Sequence, residues 1–160
     1  MRGNEKVIQQ LNEALKAELT AIVQYIVHSE MCENWGYHRL GAYIKKQAIE
    51  EMGHAEGLIE RILFLDGTPK VDIGLAPQIG ANVSAQLQVD LNAELDAVKQ
   101  YNASARVCVE AADNSSRELF EKMIQDEEQH TDFLEAQLSM IQEVGIENYL
   151  SQQMQGSAKG

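Results

Sequence analysis

The sequence predicts an all-α protein: a four-helix bundle with a long crossover between helices 2 and 3 and a short C-terminal fifth helix. Three observations carry this. Apolar residues recur at alternating steps of three and four in four long stretches, the period of a buried helix face. Both prolines of the chain fall in one stretch, DGTPKVDIGLAPQIGAN, so the strongest helix breaker is missing everywhere else. The two halves also repeat at a constant offset, LKAELTAIVQY (15–25) matching LNAELDAVKQY (91–101). With only two copies, this is a duplicated helical hairpin rather than a solenoid.

The first helix opens after Asn4, a residue suited to an N-cap, with Glu5 in its first turn. Its stripe reads Ile8, Leu11, Leu15, Glu18, Ile22, Tyr25, Ser29, Cys32, and it ends near Asn34-Trp35-Gly36. The second, about 38–65, carries Leu40, Ile44, Gln47, Glu51, His54, Leu58, Ile62 and Leu65. The third starts near Asn82 or Ser84 and presents Leu87, Leu91, Glu94, Val98, Tyr101, Ala105 and Cys108. A turn at Asp113-Asn114 leads to a fourth, for which Ser115 and Glu118 fit a capping box. Its stripe is Phe120, Met123, Glu127, His130, Leu134, Leu138 and Ile141, and Gly145 stops it. A fifth helix fits 146–154, and the tail GSAKG is expected to fray.

The connection runs from Gly67 to Ala81, far longer than an up-down turn needs. Extended, it spans up to ~50 Å, enough to run the length of a bundle. That crossover places Cys32 and Cys108 at opposite ends, so no disulfide is expected between them.

Composition narrows the class. The length fits one domain, 1–160, with a sizeable core. The formal charge of −12 argues against nucleic acid, whose phosphates would be repelled, and favours cations. The two cysteines form no CxxC pair, which excludes a zinc ribbon or rubredoxin-like module and suggests a reducing, cytoplasmic setting. MRGNEKVIQQ has no apolar core of a signal peptide, and no apolar run reaches membrane-spanning length.

Within the apolar stripes stand four carboxylates and two imidazoles: Glu18, Glu51, His54, Glu94, Glu127 and His130. Burying them uncompensated would be prohibitively costly. Helix geometry brings them level. Glu18 stands as far before Gly36 as His54 stands after it, and Glu94 and His130 flank Asp113 at nearly equal separations. In each ExxH, Glu and His project from one face, about 60° apart. One Glu from each of two helices and one ExxH from each of the others is the ligand set of a two-metal carboxylate site. Its mixed oxygen and nitrogen donors suit iron or manganese, and zinc can also bind them. A buried polar network without metal is the competing reading.

Met52 is rotated about 100° from Glu51 and points away from that core. Its repeat counterpart is Glu128, so the metal site does not require a methionine there. It fits either a packing residue or an outward axial ligand for haem iron. Gly53 beside it costs roughly 1 kcal/mol against Ala, which suggests close approach to the backbone. Tyr25, about two turns after Glu18 on the same face, fits a hydrogen bond to a ligand carboxylate, electron donation, or core filling; Tyr101 occupies the matching place.

On these residues the sequence resembles the bacterioferritin family, over nearly the whole chain from MRGNEKVIQQLNEAL through RILFLDGTP to NYL. Glu18, Glu51, His54, Glu94, Glu127 and His130 match the family's ferroxidase centre, and Met52 matches its haem methionine. Haem-free ferritins lack the second ExxH. Rubrerythrins share both but usually carry a rubredoxin module. The resemblance implies a ferritin-like bundle assembled into a shell of twenty-four subunits, built from dimers. It implies two Fe per subunit, oxidation of Fe(II) by O2 or H2O2, and storage of ferric mineral inside. It implies haem across the two-fold dimer interface and a small ferredoxin as electron donor for iron release. Some members add an iron site on the inner surface of helix 2; here Lys46 stands in that region, with Glu50 and Asp126, and departs from it. A non-storing di-iron peroxidase or oxidase of rubrerythrin-like type would use the same six ligands.

Overall fold

Each helix boundary has a local cause. The computed structural model describes residues 1–74 and 76–156. Helix α1, Glu5–Asn34, opens where the Asn4 side chain accepts from Lys6 N at 2.9 Å. It closes at Gly36, whose φ of 86° lets Tyr37 N reach back to Cys32 O at 2.9 Å. Helix α2 spans His38–Phe64, one residue short of the expected end. Helix α3, Val83–Glu110, starts from Asn82, whose side chain accepts from Ala85 N. Helix α4, Asn114–Val144, stops at Gly145 with φ 82°, and α5 follows as Ile146–Gln153. Among the described residues there is no strand. The expected fraying falls partly on residues 157–160, outside the described residues.

One cap differs from expectation. Helix α4 is capped not by Ser115 with Glu118 but by Asp113, whose carboxylate accepts from Ser116 N at 3.0 Å and from the Ser116 hydroxyl at 2.8 Å. Arg61 of α2 holds the same carboxylate at 2.7 Å, an ion pair that a serine cap cannot make. Burial pushes the Asp113 carboxyl up, but Ser116 and Arg61 outweigh it and hold the group below its ordinary value. A carboxyl lowered on folding adds stability above its unfolded pKa of about 3.9, and this is lost as pH falls through the folded value. Asp113→Ala is therefore expected to cost about 1–2 kcal/mol at pH 7, and progressively less at a pH below the unfolded value of about 3.9. Urea unfolding at pH 7 and in acid measures it; a gap that does not shrink in acid contradicts the assignment.

The chain path is that of a ferritin-like bundle. Helices α1 and α2 form one antiparallel hairpin and α3 and α4 another. The crossover climbs back along α1: Asn12 meets Thr68 and Lys70, Lys16 meets Asp72, Gln24 accepts from Gln78 N, and His28 accepts from Gly80 N. Helix α3 then descends against α1, pairing Asp90 with Gln24 and Ser104 with Gln10. Cys32 and Cys108 are accordingly at opposite ends, both buried and free. Burial is the main reason their thiols are pushed up, to about 12 and about 11. No helix among the described residues is long and apolar enough to cross a membrane.

The core divides into two apolar clusters. One gathers Leu11, Leu15, Leu58, Ile62, Phe120 and Met123. The other gathers Tyr25, Ile44, Leu87, Leu91 and Leu134. A buried Leu or Ile is worth about 1.5–3 kcal/mol relative to exposure, so the clusters can carry a polar layer between them. That layer is the site.

Candidate metal centre

Four helices each deliver ligands to one level. Glu18 comes from α1, Glu51 and His54 from α2, Glu94 from α3, and Glu127 and His130 from α4. The carboxylates are at most 2% exposed. They fall into two overlapping sets whose donor atoms lie within 4.8 Å of one another: Glu18, Glu51, His54 and Glu127, and Glu51, Glu94, Glu127 and His130. Glu51 and Glu127 are common to both; each set has its own glutamate and histidine. All six residues singled out from the sequence are thus brought together.

Both imidazoles turn Nδ1 inward. His54 Nδ1 lies 3.1 Å from Glu51, 3.2 Å from Glu127 and 3.5 Å from Glu18. His130 Nδ1 lies 3.1 Å from Glu51 and 3.5 Å from Glu94. Their Nε2 atoms face outward to carboxylates, His54 to Asp126 at 2.9 Å and His130 to Glu50 at 2.7 Å. An outer carboxylate that accepts from Nε2–H fixes the ring and leaves the Nδ1 lone pair available to ligate a metal.

The inner atoms are not satisfied by one another. Glu51 Oε1, Glu127 Oε1 and His130 Nδ1 are buried without a hydrogen-bond partner, although the first and last are only 3.1 Å apart. Buried polar atoms are ordinarily paired. Atoms that crowd one point without bonding each other fit a shared cation, and the donor set is one that iron accepts.

Electrostatics point the same way. Burial, then the neighbouring Glu51, holds the Glu18 carboxyl well above its ordinary value; burial and Glu94 push Glu127 up to about 11. Burial opposes charge on the histidines, but the carboxylates prevail and raise His130 to about 11 and His54 higher still. Burial opposes charge on Glu51 too, but Glu18 and the two histidines beside it prevail and hold it low. The cluster without metal retains protons because it lacks positive charge, and a bound cation would displace them.

Tyr25 and Tyr101 each donate to a ligand carboxylate, Tyr25 to Glu94 and Tyr101 to Glu18. Met52 lies outside the cluster and is 47% exposed, close to Ile49 at 53%. At Gly53 a Cβ would meet nothing within 4 Å in this chain. Lys46 reaches Glu50 at 3.8 Å, so that carboxylate is shared between a lysine and His130. Sequence reasoning did not pair Glu50 with His130 or Asp126 with His54. The signal was present, because the repeat offset that relates Glu51 to Glu127 also relates Glu50 to Asp126. It had no such signal for the buried His28–Asp90–Gln24 network, which ties the crossover to the bundle.

The chain is similar to known proteins over nearly its whole length. A model of the ferritin-like domain matches residues 8–144. A bacterioferritin from Brucella melitensis biotype 1 is 42% identical over 149 residues, 93% of this chain and 92% of the relative. One from Rhodobacter capsulatus is 43% identical with the same coverage. One from Mycobacterium avium is 38% identical over 152 residues, 95% of this chain and 96% of the relative. With a ferritin-like domain, a four-helix core that presents two carboxylate–histidine sets, and near-full-length similarity to these relatives, the chain belongs to the bacterioferritin family.

Proposed function

We propose that this protein stores iron. It oxidises Fe(II) to Fe(III) at the centre formed by Glu18, Glu51, His54, Glu94, Glu127 and His130, with O2 or H2O2 as oxidant. The ferric product is held as mineral inside a shell of twenty-four subunits built from dimers. The observation that carries this reading is the overlap of the two ligand sets at Glu51 and Glu127, whose inner oxygens have no other partner.

Each side chain has a role in this reading. Glu51 and Glu127 hold both ions together. Glu18 with His54, and Glu94 with His130, complete one position each. Asp126 and Glu50 keep the imidazoles turned inward. The net charge of −12 favours cation entry. Met52 from each of two subunits would hold a haem at a two-fold interface, and that group would supply electron transfer for iron release, with a small ferredoxin as donor. The exposure of Met52 and Ile49, and the open backbone at Gly53, leave that surface accessible to a ring and a second subunit. The setting is cytoplasmic.

A non-storing di-iron peroxidase or oxidase is the alternative, favoured by the near-symmetric pair of ExxH sets. Iron retention separates the two. A large aerobic excess of Fe(II) is added to the metal-free protein, and iron per subunit is assayed after size exclusion. Far more than two irons per subunit, eluting with a very large assembly, is expected for storage. About two, on a small oligomer, overturns storage and leaves the oxidase reading.

A further inference from the structure

The two tyrosines are exchanged between the halves of the repeat. Tyr25 on α1 donates to Glu94 on α3, and Tyr101 on α3 donates to Glu18 on α1 at 2.5 Å. Both tyrosines are 1% exposed. These bonds fall only on the carboxylates that belong to a single ligand set. Glu18 occurs only with His54, and Glu94 only with His130. The shared carboxylates Glu51 and Glu127 each retain an unpaired oxygen instead.

We propose that Tyr101 is a positioning residue for Glu18, and through it for the metal position completed by His54 alone, while Tyr25 positions Glu94 for the position completed by His130. Each half of the repeat thereby orients the ion held by the other half. The inference rests on reading the six residues as a two-metal site. Its physical basis is rotational freedom. A glutamate reaches the centre over several rotatable bonds, and its carboxylate can bind an ion through one oxygen, through both, or turn aside. A phenol fixed by packing engages one oxygen, in each case the Oε1 that also lies 3.5 Å from the histidine Nδ1 of the same set, and so fixes the rotation of the carboxylate. A side chain that merely filled space would not need its hydroxyl, and it would not act on one position rather than the other.

The test uses Co(II), which accepts the same mixed donors and reports its coordination through visible d–d absorption. Assembled metal-free protein is titrated anaerobically by calorimetry and absorption, alongside Tyr101→Phe, Tyr25→Phe, Glu18→Gln and Glu94→Gln. The glutamate variants identify which step belongs to which position. Tyr101→Phe is expected to weaken the Glu18-dependent position about tenfold and alter its bands, leaving the other unchanged; Tyr25→Phe does the converse. Unaltered affinity and bands in both phenylalanine variants overturn the proposal, as does Tyr101→Phe weakening the Glu94-dependent position. If the unmodified protein binds fewer than two Co(II) per subunit, the two-metal reading itself is overturned.

Discussion

Glu127→Gln is expected to abolish rapid Fe(II) oxidation while leaving the metal-free protein as stable as before. Glu127 belongs to both ligand sets, so its loss affects both ions, whereas Glu94→Ala affects only one. Glutamine has nearly the same shape but carries no charge and binds iron poorly. An initial rate lower by about 100-fold or more corresponds to a loss of roughly 2.7 kcal/mol of transition-state stabilisation. Stability responds differently. Burial and Glu94 push the Glu127 carboxyl well above its ordinary value, which favours its neutral form in the metal-free protein. Glutamine resembles that acid. Stopped-flow absorbance of ferric product, together with urea unfolding of metal-free protein, checks both halves. An unchanged oxidation rate would remove Glu127 from the centre. Glu94→Ala is expected to slow oxidation while the shell still assembles, which the same assay with size exclusion measures.

Much of the fold was legible because it is written in periodicity. The stripes with Leu11, Leu58, Leu87 and Phe120 on their apolar faces located four helices, and all of these residues are buried at 0% exposure. Linker length alone chose the topology, since the stretch from Gly67 to Ala81 is too long for a tight turn between neighbours. The six convergent residues were legible for a related reason: a carboxylate on an apolar stripe is a costly exception, and the repeat showed six such exceptions at matching heights. The α4 cap is local, Asp113 to Ser116, but the Arg61 ion pair that adds to it comes from α2, distant in sequence, and had no local signal. Likewise Tyr25 and Tyr101 lay on the stripes, but which carboxylate each one reaches depends on the packing of α1 against α3. Long-range pairing carries no local signature. Gln47 belongs to this class as well. It sits one turn before Glu51 on the same stripe, is 2% exposed, and has no partner for either end of its amide; its repeat counterpart is the apolar Met123.

The duplication explains why a polar layer of this size is tolerated. Each half supplies one outer carboxylate and one tyrosine that complete the other half: Glu50 to His130, Asp126 to His54, Tyr25 to Glu94, Tyr101 to Glu18. Neither hairpin alone satisfies its own buried groups. Assembly of the two halves and construction of the site are therefore one event, and the apolar clusters on either side hold them in register.

Met52→Leu is expected to eliminate haem while leaving Fe(II) oxidation intact. Leucine and methionine have similar helix propensity and apolar volume, so α2 and the surface around it should be unaltered. What is lost is the thioether sulfur, the one atom at this position able to serve as an axial ligand. The separation of functions follows from direction: Met52 is 47% exposed while Glu51, adjacent in sequence, is 0% exposed. Haem content by absorbance of the purified protein should fall to none, the fast oxidation phase should persist, and reductive iron release should slow. Gly53→Ala sharpens the test. Within one chain the added methyl meets nothing within 4 Å, and helix propensity predicts a gain of about 1 kcal/mol. If a haem or a second subunit approaches the backbone there, the same methyl lowers haem uptake despite the stabler helix. Unchanged haem content in Met52→Leu would remove the methionine from haem ligation whatever Gly53→Ala does. Loss in both variants would place haem on this face of α2.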